Sequence, residues 1–299
     1  MGPTSSDRPP FDALLPPEMA TRAEDVGVRK ARSDAVSLFA LSVLAGAFIA
    51  IGAIFATTVS AGAGDLPYGL VRLFAGLAFS LGLILVVVGG AELFTGNNLI
   101  VMAWASGKVS TRLVLRNWSI VYVGNLVGAL ATVVVMITSG QYAFGNGSVG
   151  SAALTIGNTK AGLEFVPAIA LGMMCNALVC LAVWLTFSAR TTTDKILAIV
   201  PPIAAFVAAG FEHSVANMYF IPEAIAIRTF APDSFWQTID RAPGDYPNLT
   251  MQGFMANLIP VTIGNIIGGT LMVGIVYWFI FLRHKRTALA NVSGSEPGS

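Results

Sequence analysis

Charge is what this chain has least of. Of 299 residues, 17 are Lys or Arg and 16 are Asp or Glu, 11% in all, against 55% hydrophobic residues and a mean hydropathy of +0.73. A soluble domain carries about 25% charged residues, so this chain has too few to cover a water-facing surface and reads as an integral membrane protein. A net charge of +1 leaves no basic face for nucleic acid. Cysteine is scarce too. Cys175 and Cys180 lie five apart in one apolar run, where a helix points them to different faces, so neither a disulfide framework nor a metal site is implied. The histidines are only His213 and His284. The first 34 residues mix acidic and basic side chains where a secretory leader would have a basic stretch and an apolar core, and they read as a cytosolic tail.

What is present is a series of long uncharged runs. A helix needs about 20 apolar residues to cross the hydrocarbon core, and the runs give six expected spans. These are 35–59; 73–91, interrupted at Glu92 and resuming over 99–105; 117–137; 165–189; 196–211, interrupted at Glu212 and His213 and resuming over 218–221; and 250–282. The expected fold is therefore all-α, with six transmembrane helices of which the second and fifth are broken. Residues 35–283 form the membrane domain, between a cytosolic amphipathic segment (1–34) and a cytosolic C-terminal tail (284–299). Between Phe11 and Ala31, Leu14, Leu15, Met19 and Val26 stand among charges, a pattern suited to the inner membrane surface, a gate or an oligomer contact. With the N-terminus inside, thirteen of the 17 basic residues fall on cytoplasmic segments, and only Arg72, Lys160, Arg228 and Arg241 fall outside. The bias of Lys and Arg toward the cytoplasm then places both termini there.

The chain also repeats itself. Gly90-Ala-Glu92-Leu-Phe-Thr-Gly-Asn97 and Gly210-Phe-Glu212-His-Ser-Val-Ala-Asn217 share the pattern G-x-E-x4-N. Asn117 with Gly124-Asn125-Leu-Val-Gly128 is matched by Asn257 with Gly264-Asn265-Ile-Ile-Gly268. Both patterns fall at corresponding places in two three-helix halves, about 35–138 and 163–283. Halves with an odd number of spans are oppositely oriented, the inverted-repeat plan of channels and transporters, whose site lies near the midplane where paired helices break.

The breaks hold the intramembrane polar groups. A helix interrupted at membrane depth frees backbone N–H and C=O groups that protein or a water-filled cavity must satisfy. Glu92 and Glu212 are placed to accept hydrogen bonds from freed N–H groups of the opposite half-helix; the alternative is a proton or ion site. His213 either caps the broken helix as a neutral ring or attracts an anion and exchanges a proton with it. Half-helix N-termini add to an anion preference. Thr95, Gly96, Asn97 and Asn98 make a compact polar segment. Phe79, Leu83 and Phe206 precede the breaks; by composition they read as core or lipid contacts, or as apolar constrictions. Gly264, Gly268, Gly269 and Gly274 give the sixth span small faces for close packing. No HExxH spacing or Ser/His/Asp set supports an enzyme built on Glu212 and His213, no cofactor is implied, and the paired Asn-Pro-Ala boxes of a water channel are missing.

Gly90-Ala-Glu-Leu-Phe-Thr95, Gly210-Phe-Glu-His-Ser-Val-Ala-Asn-Met218 with Ile221-Pro222, and Ile259-Pro-Val-Thr-Ile-Gly-Asn-Ile-Ile-Gly-Gly269 resemble the signature segments of the formate/nitrite transporter family. The resemblance runs from Phe11 to about Arg283. It implies a homopentamer in the bacterial inner membrane, in contact with lipid, whose aquaporin-like protomers each hold a pore for formate or another small monovalent anion. By the same resemblance His213 is the central pore histidine, exchanging protons, and Thr95 belongs to the mobile loop facing it, with Asn176 nearby. Phe79, Leu83 and Phe206 form the outer constriction, and Leu93, Phe94 and Val179 the inner one. Lys160 draws anions into the outer vestibule, and Asn265 lies beside the pore. Glu92, Glu212, Asn97 and Asn217 stabilise the breaks. The first break, Glu92-Leu-Phe-Thr-Gly-Asn97, leans toward nitrite-type members, while its flanks favour formate. The alternative expectation is a nitrite, hydrosulfide, acetate or lactate channel without proton coupling.

Overall fold

A computed structural model describes residues 13–64 and 66–283. Phe11, the tail 284–299 and His284 lie outside the described residues. Those described form helices and connecting turns, without a strand. Five helices are long and apolar enough to cross a membrane: α2 (Ala35–Ser60), α3 (Tyr68–Gly89), α6 (Thr111–Ser139), α8 (Phe165–Ser188) and the run Met251–Phe281. This last run comprises α12 (Met251–Ile267), a π-helical stretch Gly268–Ile275, and α13 (Val276–Phe281). The expected fifth span is divided between α9 (Thr192–Ala208) and α10 (Ser214–Phe230), each 17 residues long.

Several boundaries follow from local chemistry. Asp34 accepts the Ser37 N–H at 2.8 Å and caps α2, which holds its carboxyl below the ordinary value. Gly90 and Gly210, with φ of 79° and 77°, turn the chain out of α3 and just beyond α9, a left-handed conformation that glycine adopts without a Cβ clash. After the first turn the chain resumes as α4 (Phe94–Asn97), a 3-10 turn at Asn98–Ile100 and α5 (Val101–Ala105).

Three elements differ from expectation. The segment after α6, left outside the expected spans, contains a 3-10 turn, Gln141–Ala143, and the helix α7 (Ser148–Ala161). The helix α10 runs on past Pro222 and Glu223. Proline there forfeits one backbone bond, a loss that surrounding protein tolerates. The amphipathic segment is α1 (Pro16–Arg32), and its apolar face, with Met19, Ala20 and Ala23 buried, packs on α5, the Asn98–Ile100 turn, α6 and α8 of its own chain. A short helix α11 (Asp233–Thr238) lies in the connection before α12.

Packing is alike in the two halves. The helix α2 packs on α3 and α6, as α8 packs on α9 and α12. Contact is backbone-close at matched glycines: a Cβ on Gly128 would lie 2.0 Å from the Val43 carbonyl oxygen, and one on Gly268 would lie 2.1 Å from that of Met173. Small residues bring helices this near where no hydrophobic effect drives association.

Candidate functional site: two matched breaks

Each break is held by the same set of bonds. Asn125 Nδ2 donates to the carbonyls of Ser42 (2.8 Å) and Glu92 (2.9 Å), while its Oδ1 accepts the freed N–H of Phe94 at 2.9 Å. Asn265 Nδ2 donates to the carbonyls of Gly172 (2.8 Å) and Glu212 (2.9 Å), and its Oδ1 accepts the N–H of Ser214 at 2.9 Å. Both amides are fully buried. They settle the polar groups that a broken helix leaves without partners.

The carboxylates do something other than expected. Glu92 accepts from Lys30 Nζ at 2.9 Å and Asn97 Nδ2 at 2.7 Å, and Glu212 accepts from Lys160 Nζ at 2.7 Å and Asn217 Nδ2 at 2.6 Å. The freed N–H groups of Phe94 and Ser214 go to asparagines, so the carboxylates tie the breaks to lysines instead. The reason is charge: a buried carboxylate needs a cation far more than a buried N–H needs one particular acceptor. The networks continue alike, from Asn97 Nδ2 to Asn117 Oδ1 (3.0 Å) and from Asn217 Nδ2 to Asn257 Oδ1 (2.7 Å), then on to the carbonyls of Lys30 and Lys160.

The breaks meet at one bond. Thr95 Oγ1 lies 2.9 Å from His213 Nε2, joining positions 118 apart in sequence, and both residues are buried. His213 Nδ1 accepts the Ala216 N–H at 3.0 Å as the N-cap of α10. That bond leaves Nε2 as the protonated nitrogen, so a neutral His213 donates to Thr95. Ser214 Oγ beside it and Asn217 Oδ1 are buried without hydrogen-bond partners.

Cavities open to either side. One of about 60 Å³ is lined by His213, Lys160, Arg72, Phe79, Phe206 and Phe220. Phe79 and Phe206 meet edge to face at 5.6 Å, and the Phe206 ring stacks against His213 at 6.0 Å. Arg72 binds the carbonyls of Val207 and Ala208 at the end of α9. The second cavity, of about 270 Å³, lies on the Glu92 side and is bordered by Leu83 and Leu93 with the cations Arg22, Arg29, Lys30 and Lys195.

Thus Phe79, Phe206, Lys160, Thr95 and His213 come together. Leu83, expected beside Phe79, faces the Glu92-side cavity with Leu93, because it lies one helical turn further along α3. Phe94 and Val179, expected in the inner constriction, are absent from the walls of both cavities; the Phe94 ring packs edge-on against Tyr122 at 4.9 Å and Trp118 at 6.1 Å. Asn176 reaches the first break through Asn98, whose Oδ1 it binds at 2.9 Å, and it also donates to the Asn265 carbonyl at 2.6 Å. Cys180 donates to the Thr95 carbonyl at 3.4 Å, and both cysteines are free and buried. Sequence reasoning missed Lys30, which had been counted only as a cytoplasmic charge. Its position four residues before Asp34, matching Lys160 before Glu164, was the available signal.

Comparison with known proteins agrees with this architecture. A family model described as "Formate/nitrite transporter" matches residues 17–279. The chain is 49% identical over 277 residues to the formate channel FocA of Escherichia coli (strain K12), covering 92% of this chain and 97% of that one. It is 37% identical to a probable formate transporter of Methanothermobacter thermautotrophicus, covering 90% and 97%. A solved structure titled "Pentameric formate channel with formate bound" superposes with a TM-score of 0.80 at 49% identity, covering 83% of this chain and 98% of that one. With both breaks, their capping asparagines and the histidine in place, the chain is a multi-pass membrane protein of the formate/nitrite transporter family.

Proposed function

We propose that the protein is a pH-dependent channel or carrier for formate and similar small monovalent anions. It works as a homopentamer of six-span protomers in the bacterial inner membrane, with both termini cytoplasmic and residues 35–283 as the membrane domain. The Thr95–His213 bond between two cation-bordered cavities carries this reading. The matched bond sets around Glu92 and Glu212 support two halves arranged as an inverted repeat, and the names of the relatives support formate and the pentamer.

The chemistry follows the geometry. Lys160 and Arg72 at one mouth, and Arg22, Arg29, Lys30 and Lys195 at the other, concentrate anions. The Phe79–Phe206 pair on one side and the Leu83 and Leu93 side chains on the other strip water, a step costly for a bare anion. His213 Nε2–H then offers the donor that Thr95 otherwise occupies. For a proton to pass, Nδ1 first takes one from water, which breaks the Ala216 cap bond; the imidazolium then gives its Nε2 proton to the anion, which crosses as the neutral acid and leaves a neutral ring protonated at Nδ1. Proton exchange and the helix cap are coupled in this reading.

That cap bond also favours a second reading, in which His213 stays neutral, donates a hydrogen bond only, and the anion, whether formate or nitrite, passes without proton exchange. Uptake of labelled formate into proteoliposomes across a pH series separates the two. Under the first reading the vesicle pH changes with uptake, and His213→Asn flattens the pH dependence. Under the second, current flows without a pH change. If His213→Asn leaves pH-dependent uptake unaltered, the relay is wrong.

A further inference from the structure

Four glutamates are buried among the described residues: Glu24, Glu92, Glu212 and Glu223. Three hold a lysine, with Lys108 on Glu24, Lys30 on Glu92 and Lys160 on Glu212. Glu223 has no such partner. It is 5% exposed, and its Oε2 has no hydrogen bond. It lies in α10 on the stripe that leads away from His213 through Ala216 and Phe220, since residues three and four apart share a helix face.

The carboxyl borders a cavity of about 10 Å³, the room that roughly one water molecule needs. The helix α2 contributes Thr57 to its wall, the turn after α6 contributes Gln141 and Tyr142, and α10 itself contributes Tyr219; α7 adds only aliphatic side chains. The titratable groups facing Glu223 from these elements are therefore two phenols, with neither a cation nor a second carboxylate. An isolated carboxylate in such a place loses its hydration without compensation, and groups so placed take up a proton instead.

Phe220 joins this cavity to the pore. Its ring forms part of the wall of both the Glu223 cavity and the His213 cavity. It stacks on Phe79 with centroids 6.4 Å apart and lies 5.5 Å from Lys160 Nζ. A charge appearing on Glu223 is felt across one aromatic ring by the residues that admit the anion.

We propose that Glu223 is a proton-binding site beside the pore: it holds a proton while anions pass, and its ionisation at alkaline pH places a negative charge behind Phe220 that hinders anion entry past Lys160. The proton leaves the carboxyl for a water in the cavity. The effect on flux rests on the transport reading above; the bound proton does not.

Two measurements on the full-length protein in proteoliposomes test this. The hydrophobic reagent dicyclohexylcarbodiimide adds to protonated carboxyls, and peptide mass mapping near neutral pH is expected to find its adduct on Glu223 in preference to Glu24, Glu92 and Glu212. Absence of the Glu223 adduct while another of the four is labelled overturns the proton site. Uptake of labelled formate over a pH series, comparing the protein with Glu223→Gln and Glu223→Leu, is expected to be equal at acid pH and several-fold higher in both variants at alkaline pH. A variant-to-parent ratio that stays flat with pH overturns the coupling to the pore. If no form takes up formate, the transport reading fails, while the labelling still decides the proton site.

Discussion

Asn125 and Asn265 each answer three backbone groups at a point where a helix has been cut. Asn265 is fully buried, and its replacement by leucine strands the Ser214 N–H at the start of α10. An unsatisfied buried donor costs about 1–3 kcal/mol, and the two carbonyl bonds add about 1 kcal/mol each. Asn265→Leu is therefore expected to destabilise the protein by about 3–5 kcal/mol, read as a lower melting temperature in detergent. A melting curve that overlays the parent's contradicts the role assigned to the amide. The residue itself was visible in the repeated Gly-Asn pattern, yet its three partners were not, because they are backbone atoms of α8 and of the break that only folding brings within reach.

Between elements, the lysine bonds decide how the breaks are held. Lys160 ends α7 and pins the break before α10; Lys30 ends α1 and pins the break after α3. Removing one member of a buried pair leaves an uncompensated charge, worth about 3–5 kcal/mol. The Glu212 side chain is 5% exposed and that of Glu92 11%, so Lys160→Met is expected to cost more than Lys30→Met. Adding Glu212→Gln to Lys160→Met is expected to restore most of the loss, because the stranded charge disappears. A double-mutant cycle measured by thermal unfolding gives the answer; a double variant no more stable than Lys160→Met contradicts the charge argument. The helices α2 and α8 were legible to within a residue or two, since uncharged runs ended in capping or charged residues. The helix α7 and the second half of α10 were not. Glycine, serine and threonine dilute the hydropathy of α7, and Pro222 with Glu223 argues locally against the helix that packing against α6 and α7 nevertheless stabilises.

For the whole molecule, apolar surface remains after the chain has packed. Only a third of the most apolar window of α6 is buried within the chain, less than in any other candidate span. Val134 and Val135 on it are 66% and 63% exposed, a face suited to lipid or a neighbouring protomer. An arginine at the centre of a span costs about 2.5–3.5 kcal/mol on insertion, so Val123→Arg, near the middle of α6 at a position 52% exposed, is expected to cut the membrane-inserted fraction markedly, measured by carbonate extraction of membranes. An unchanged fraction places α6 differently from this reading.

The sequence by itself determined that the chain belongs in a membrane, where most of its long helices lie, that two of its segments are broken, and which residues stand at the breaks. These follow from hydropathy summed along the chain and from local spacing, which require no knowledge of neighbours. Tertiary structure alone decided that Thr95 meets His213, that Glu92 and Glu212 take lysines, that Leu83 faces the Glu92-side cavity, and that Glu223 is left without a partner. The physical reason is direction. Hydrogen bonds and ion pairs depend on orientation over a few ångströms between groups remote in sequence, and a helix that is apolar on every side carries no periodic signal of which face will turn inward.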